Sequence, residues 1–330
     1  MKKLICICMS IVFAIGLLTG CSNAEKSANG NYSGVKILYS LSDSKDNFLS
    51  MIKDSAAKYA EENGIELTVA DAENDILKQV TDVKEAAKSG NYDAIVICPV
   101  DADISTQIMD VAGDLPVVFL NRCPAVDKLK SDKFVFVGSD ESQAAGFQAQ
   151  YLTDYFNGKG KTDIKAILFQ GAFGQAAASI RTSAVKKQLQ ENGLNVDYVF
   201  NDTAHWSRDK AKEMFQNILK MGKEYDCIIC NNDEMALGVI AAMKENGIDP
   251  SSVPIVGIDA TADGCAALKD GEMAFTVYQS ATGQGSVGVQ SAAVLAKGGS
   301  ISSIEGVNKD KTIIWVPFEA VDSKNVDKYM

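Results

Sequence analysis

The sequence predicts an α/β protein of two similar lobes, each a doubly wound parallel sheet with helices on both faces. Three observations lead there. Short apolar runs alternate with longer amphipathic ones from residue 35 onward, the alternation restarts after Gly138-Ser139-Asp140, and polar and aromatic residues collect just beyond the apolar runs. Short runs of this kind read as buried strands, and strand–helix–strand alternation brings successive strands parallel.

Taken in order, strands are predicted at 35–41, 67–70, 94–98, 117–120 and 134–137, with helices at 47–63, 76–89 and 105–113 between them. The second half places helices at 143–156, 179–192, 208–221, 234–246 and 261–270 among strands at 166–169, 196–200, 227–230, 255–258 and 275–278. Gly64, Gly193 and Gly247 each follow a helical run, where a residue free to adopt positive φ ends the helix.

The N-terminus reads as an export signal. Lys2 and Lys3 precede an apolar run at 4–18, too short to span a bilayer, and Leu18-Thr19-Gly20-Cys21 resembles the lipobox of bacterial lipoproteins. That resemblance implies a signal peptide at 1–20, lipidation of Cys21 and an extracytoplasmic protein anchored to the cell membrane. Residues 22–33 are small and polar and read as a flexible tether, 21–33 with the cysteine. The formal charge of −11, with no stretch concentrating Lys and Arg, argues against nucleic acid as a partner. Of 8 cysteines, five remain beyond Cys21: Cys98, Cys123, Cys227, Cys230 and Cys265. Cys227 and Cys230 lie three apart in a strand-like run, so they point to opposite faces and read as buried thiols rather than a redox or metal pair. A single histidine, His205, gives little basis for a metal site, and no cofactor is expected.

In open parallel sheets, ligands sit beyond the carboxyl ends of the strands. The residues there include Asp46, Asn47 and Phe48; Asn121 and Arg122; Asn231, Asn232 and Asp233; Asp259; and Gln279. Carboxylates and amides suit the hydroxyl edges of a sugar, and aromatic rings suit its C–H faces. Asp259 could equally cap the helix that follows it, and His205 reads as a rim residue.

Six segments carry a resemblance to the galactose/glucose-binding proteins of bacterial sugar import, relatives of the ribose-binding proteins. They are Asp46-Asn47-Phe48-Leu49-Ser50, Pro116 through Asn121, Asp202-Thr203-Ala204-His205-Trp206, Asn231 through Gly238, Val256 through Ala260, and Val316-Pro317-Phe318. The resemblance implies a periplasmic binding protein of type I, a monomer that closes around a monosaccharide, galactose or glucose first, and delivers it to an ABC transporter permease. It implies that Phe48 and Trp206 stack on the two faces of the ring, while Asp46, Asn121, Arg181, Asn232 and Asp259 bind hydroxyls. Gln279 stands where galactose-binding relatives carry asparagine. Gln175 and Ala177 stand where the family normally offers histidine and aspartate, which loosens the expectation of one particular sugar. The stretch 157–165 has too few oxygen ligands for the calcium loop of the enteric relatives, so no calcium is expected. Crossings between lobes are expected near Ser139, Ser280 and Val316, giving an N-lobe of 34–139 plus 281–315 and a C-lobe of 140–280 plus 316–330.

Two other classes share parts of this pattern. A sugar-responsive repressor would need an N-terminal helix-turn-helix where this chain has its export signal. A sugar-modifying enzyme would need a nucleophile with a base, a metal cluster or closely paired carboxylates, whereas Asp46 and Asp259 are expected on opposite lobes. A sugar sensor for a chemoreceptor or kinase, or a binder of a pentose or another hexose, would share every feature above.

Overall fold

The computed structural model describes residues 32–330. The expected leader, Cys21 and the tether up to residue 31 lie outside the described residues. The expected tether boundary needs a correction at its end: Tyr32 is only 7% exposed and belongs to the same core as Val35 and Ile65. Its ring carries apolar area worth burying, unlike the Ser, Asn, Gly and Lys around it.

The first half runs β1 (Lys36–Leu41), α1 (Asn47–Glu62), β2 (Glu66–Asp71), α2 (Ile76–Ser89), β3 (Ala94–Ile97), α3 (Ser105–Ala112), β4 (Val117–Leu120) and β5 (Phe134–Gly138). The second runs α4 (Glu141–Asn157), β6 (Asp163–Gln170), α5 (Ala176–Glu191), β7 (Asn195–Thr203), α6 (Arg208–Lys220), β8 (Cys227–Cys230), α7 (Asp233–Glu245), β9 (Ile255–Val256), α8 (Ala262–Lys269) and β10 (Thr276–Gln279). The chain ends with α9 (Ala281–Ala296), β11 (Ile313–Trp315) and β12 (Phe318–Val321).

The strands divide between two sheets. One has the order β11-β5-β4-β3-β1-β2 and is parallel throughout, with α1 and α9 over one face and α2 and α3 over the other. The other has the order β7-β6-β8-β9 and is extended by bridges from Val256 and Asp259 to β10 and its neighbour Phe275, with β12 antiparallel to β10. Helices α4 and α5 cover one of its faces, and α6, α7 and α8 the other. Both sheets are thus doubly wound, and β3, β4, β5 and β8 are buried at every residue, as strands covered on both faces must be. The chain passes between the sheets three times: from β5 into α4, from β10 into α9, and between β11 and β12 at Val316-Pro317.

Local expectations hold where the physics is local. Gly64, Gly193 and Gly247 follow helices at φ of 67°, 89° and 67°. Cys227 joins the core under α4 and α5, Cys230 the core under α6 and α7, and all five described cysteines are free. No helix among the described residues is long and apolar enough to cross a membrane.

One long helix escapes sequence reading. The α9 run Ala-Thr-Gly-Gln-Gly-Ser-Val-Gly carries three glycines in its first half and no polar stripe, so neither propensity nor periodicity marks it. The glycines serve packing: a Cβ on Gly285 would lie 2.4 Å from the Ile52 carbonyl oxygen and 2.8 Å from the Ala56 nitrogen, both on α1. Backbone cannot yield as a side-chain tip can. Gly285→Ala is therefore expected to cost about 1–3 kcal/mol of stability, seen as a lower denaturation midpoint at constant slope, despite the better helix propensity of alanine. A neutral or stabilising result would show that α9 does not press on α1.

Candidate functional site

A cleft of about 520 Å³ lies between the carboxyl ends of the strands of the two sheets. All nine residues expected to hold a ligand line it: Asp46, Phe48, Asn121, Gln175, Arg181, Trp206, Asn232, Asp259 and Gln279. Ala177 lines it as well, and His205 is exposed.

Backbone geometry at the strand ends aims several of these side chains. Asn121, Trp206 and Asp259 have φ of 65°, 64° and 122°, conformations in which an L-residue is strained, and such strain collects where a protein must present side chains. Asp46 caps α1, accepting from the Leu49 amide at 3.0 Å, and Asn232 caps α7, accepting from the Met235 amide at 3.0 Å. Asp259 caps nothing; Thr261 caps α8 in its place, accepting from the Gly264 amide at 3.1 Å. The carboxylate of Asp259 is left for the cleft. Asp233 sits one residue inside α7 and faces inward, accepting from the Thr276 hydroxyl at 2.6 Å and the Thr261 amide at 2.9 Å. Gly257 and Gly264 make room for it, since a Cβ on either would stand 2.2 Å from a carboxylate oxygen.

Arg181 organises the second lobe's side of the cleft. Only 4% exposed, it donates to Glu141 Oε2 at 2.5 Å, to the Asn231 carbonyl at 2.7 Å and to Gln279 Oε1 at 3.0 Å, with Asp259 Oδ1 at 3.8 Å. A planar guanidinium suits this because its donors leave in fixed directions. Gln279 spends its carbonyl on Arg181, so its buried amide NH₂, which has no partner among the described residues, is the group left for a ligand. Gln175 differs from expectation in the same way: its Oε1 accepts from the Trp206 indole N–H at 2.7 Å, so it orients the aromatic and keeps only its NH₂ to offer. The indole lies against Gly171, where a Cβ would be 2.0 Å from the ring.

Residues 37–300 match the periplasmic binding protein domain. The chain belongs to that family. Among similar periplasmic binding proteins, the putative rhizopine-binding protein of Rhizobium meliloti is 34% identical over 86% of this chain and 89% of its own. The D-galactose/methyl-galactoside binding periplasmic protein of Haemophilus influenzae is 30% identical over 97% of both chains. An ABC transporter solute-binding protein from Bacillus halodurans C-125, solved with bound myo-inositol, superposes with a TM-score of 0.78 at 30% identity, covering 91% of this chain and 98% of that one. These relatives are binding proteins rather than enzymes.

For a periplasmic binding protein, the electrostatics of the cleft are informative. Burial lifts the Asp259 carboxyl well above the usual carboxylate range; Arg181 offsets part of this, while Asp233, Asp46 and Glu141 add to it. Burial raises Asp46 as well, against the Leu49 amide and Arg122. Carboxylates of the two lobes thus disfavour each other's charge across the cleft, and hydroxyl donors placed between them would relieve both. The lobes also touch directly: Asn47 Nδ2 on α1 donates to Glu234 Oε1 on α7 at 3.2 Å, and the same carboxylate takes two hydrogen bonds from Arg208.

Two supporting residues of this periplasmic binding protein were not singled out by sequence reading. Glu141, the buried partner of Arg181, opens α4 beside the first crossing, and its acidic neighbour Asp140 hides it as an ordinary helix start. Gln284 accepts from Asn121 and donates to Ser139, both at 3.2 Å, and belongs to the helix that composition conceals.

Proposed function

We propose that this protein captures a polyhydroxylated six-membered ring, an aldohexose such as galactose or glucose or a cyclitol of the inositol kind, and hands it to an ABC transporter. In this reading it works outside the cytoplasm, held at the membrane through a lipidated Cys21, with lobes of about 34–139 plus 281–315 and 140–280 plus 316–330. The observation that carries the reading is the convergence on one cleft of Phe48 from the first lobe and Trp206 from the second, around carboxylates and amides held by Arg181. Hydrogen bonds to ionised groups contribute roughly 1.5 to 3 kcal/mol each, so a few suffice for tight capture. A ligand touching both lobes adds free energy to the closed state alone, and closure is then the signal to the transporter.

A thermal-shift panel of galactose, glucose, myo-inositol, allose, ribose, xylose and arabinose tests this, since a ligand that binds only the folded chain raises its melting temperature with concentration. The expected result is the largest shift from a hexose or myo-inositol, ahead of the three pentoses. No shift with any compound would overturn the reading.

The contact between Asn47 and Glu234 adds a further expectation. A net hydrogen bond contributes about 0.5–1.5 kcal/mol, so Asn47→Ala should weaken the best ligand roughly two- to tenfold, chiefly through faster dissociation. Asn47 is exposed, so the ligand-free transition should stay where it is. Stopped-flow dissociation rates check this, and an unchanged rate would show that the contact does not hold the lobes shut.

A further inference from the structure

Gln284, in the first turn of α9, is fully buried, yet both ends of its side-chain amide are bonded to groups outside its own helix. Oε1 accepts from Asn121 Nδ2 and Nε2 donates to Ser139 Oγ, both at 3.2 Å, across 163 and 145 residues of chain. Burying a polar side chain costs free energy unless its groups are paired, and these two bonds are the pairing. One partner lines the cleft after β4, and the other stands at the first crossing between the sheets. The turn that carries Gln284 is itself pinned. Ser280, at the second crossing, caps α9 by accepting from the Gly283 amide at 2.9 Å, and a Cβ on Gly283 would stand 2.9 Å from Val316 Cγ1 at the third.

At Asn121 the backbone is fixed as well. Its φ is 65° and its amide donates to the Val137 carbonyl at 3.0 Å, so the freedom that remains is which end of the side-chain amide faces the cleft. The two ends have nearly the same shape and opposite hydrogen-bonding character, so a neighbour has to choose between them. With Nδ2 bonded to Gln284, Asn121 Oδ1 has no donor among the described residues and is the end left for a ligand. Gln284 itself does not line the cleft.

We infer that Gln284 is a positioning residue for ligand recognition: without touching the ligand, it turns the carbonyl of Asn121 to the cleft, so that this position accepts from a ligand O–H and rejects a group that can only accept. This role rests on the proposed function, since Asn121 must contact the captured ring. The anchor at Ser139 keeps the Gln284 amide from turning over and so holds the polarity of the chain from the crossing to the ligand. Methionine at 284 would keep an unbranched side chain of similar length but bond neither partner, leaving Asn121 free to present either end.

Isothermal titration with myo-inositol, D-galactose and D-glucose, each beside its monodeoxy and monodeoxyfluoro analogues, tests this on the wild type, Asn121→Ala, Gln284→Met and the double variant. The ring position read by Asn121 is the one whose deoxygenation costs nothing further in Asn121→Ala. In the wild type the fluoro analogue at that position is expected to bind no better than the deoxy analogue, because fluorine can only accept and would meet a carbonyl oxygen. In Gln284→Met the parent is expected to weaken about fivefold, the double variant to bind no more weakly than Asn121→Ala alone, and the fluoro analogue to gain about threefold on the deoxy analogue. Ser139→Ala removes the acceptor for Gln284 Nε2 and is expected to move the fluoro-to-deoxy ratio the same way, which guards against a Gln284→Met chain that fails to fold. Additive losses in the double variant, a wild type that prefers the fluoro analogue, or a ratio unmoved by both substitutions would overturn the role of Gln284 and leave the proposed function intact. Absence of binding by all three parents would overturn both.

Discussion

Replacing Arg181 by methionine is expected to destabilise the folded protein by about 3–5 kcal/mol and to abolish ligand response. The cost comes from what is left behind. Without the guanidinium, the Glu141 carboxylate is buried without its ion-pair partner, Asp259 loses the positive charge that offsets its burial, and the Asn231 carbonyl and Gln279 Oε1 lose their donor. Removing one partner of a buried ion pair falls in this range because the remaining charge keeps its desolvation penalty. The pH dependence separates this from simple loss of packing. Asp259, already lifted by burial, loses its offsetting cation in the variant and binds its proton more tightly folded than unfolded, so its contribution to stability is fully present below its unfolded pKa, near 4, and falls as pH rises above it. The gap between the two proteins should therefore be small near pH 4 and widen towards pH 8 in urea titrations. Arg181→Met combined with Glu141→Gln should recover part of the loss. A gap that does not change with pH, and no recovery in the double variant, would show that the network holds the lobe by shape alone.

Asp259→Asn is expected to have opposite effects on binding and on stability. The carboxyl of Asp259 is raised by burial, so the folded chain holds its proton at pH values where the unfolded chain has released it. The contribution of Asp259 to wild-type stability therefore declines as pH rises above about 4, through the window between its unfolded and folded pKa values. Asparagine does not ionise, and it tolerates the φ of 122° as well as aspartate does. The ligand-free variant should thus melt at or above the wild-type temperature at pH 7, with the difference shrinking towards pH 4. Its ligand-induced shift should nearly vanish, because an amide cannot accept two charge-assisted hydrogen bonds from ring hydroxyls. Melting scans with and without saturating ligand at the two pH values check both halves. A lower melting temperature for the free variant at pH 7 would mark Asp259 as a structural residue.

The cleft was legible in the sequence to an unusual degree because its members follow strands, and every strand of a parallel sheet ends on the same edge. Phe48 after β1, Asn121 after β4, Asn232 after β8 and Gln279 at the end of β10 could be gathered by reading where apolar runs stop. Their partners were not legible. Gln175 looked like a group for the ligand, yet half of its amide belongs to Trp206, 31 residues away.

By itself, the sequence determined the two parallel-sheet lobes, the glycines that end helices, the opposed faces of Cys227 and Cys230, and the polar set at the strand ends. Each follows from a period or a dihedral preference confined to a few neighbouring residues. Only the tertiary structure decided that Tyr32 belongs to the fold, that Gly285 brings α9 against α1, that Arg181 is tied to Glu141 40 residues away and to Gln279 98 away, and that Asn47 reaches Glu234 across 187. Those pairings depend on where two sheets and their helices come to rest in space, and no local pattern in the chain encodes that distance.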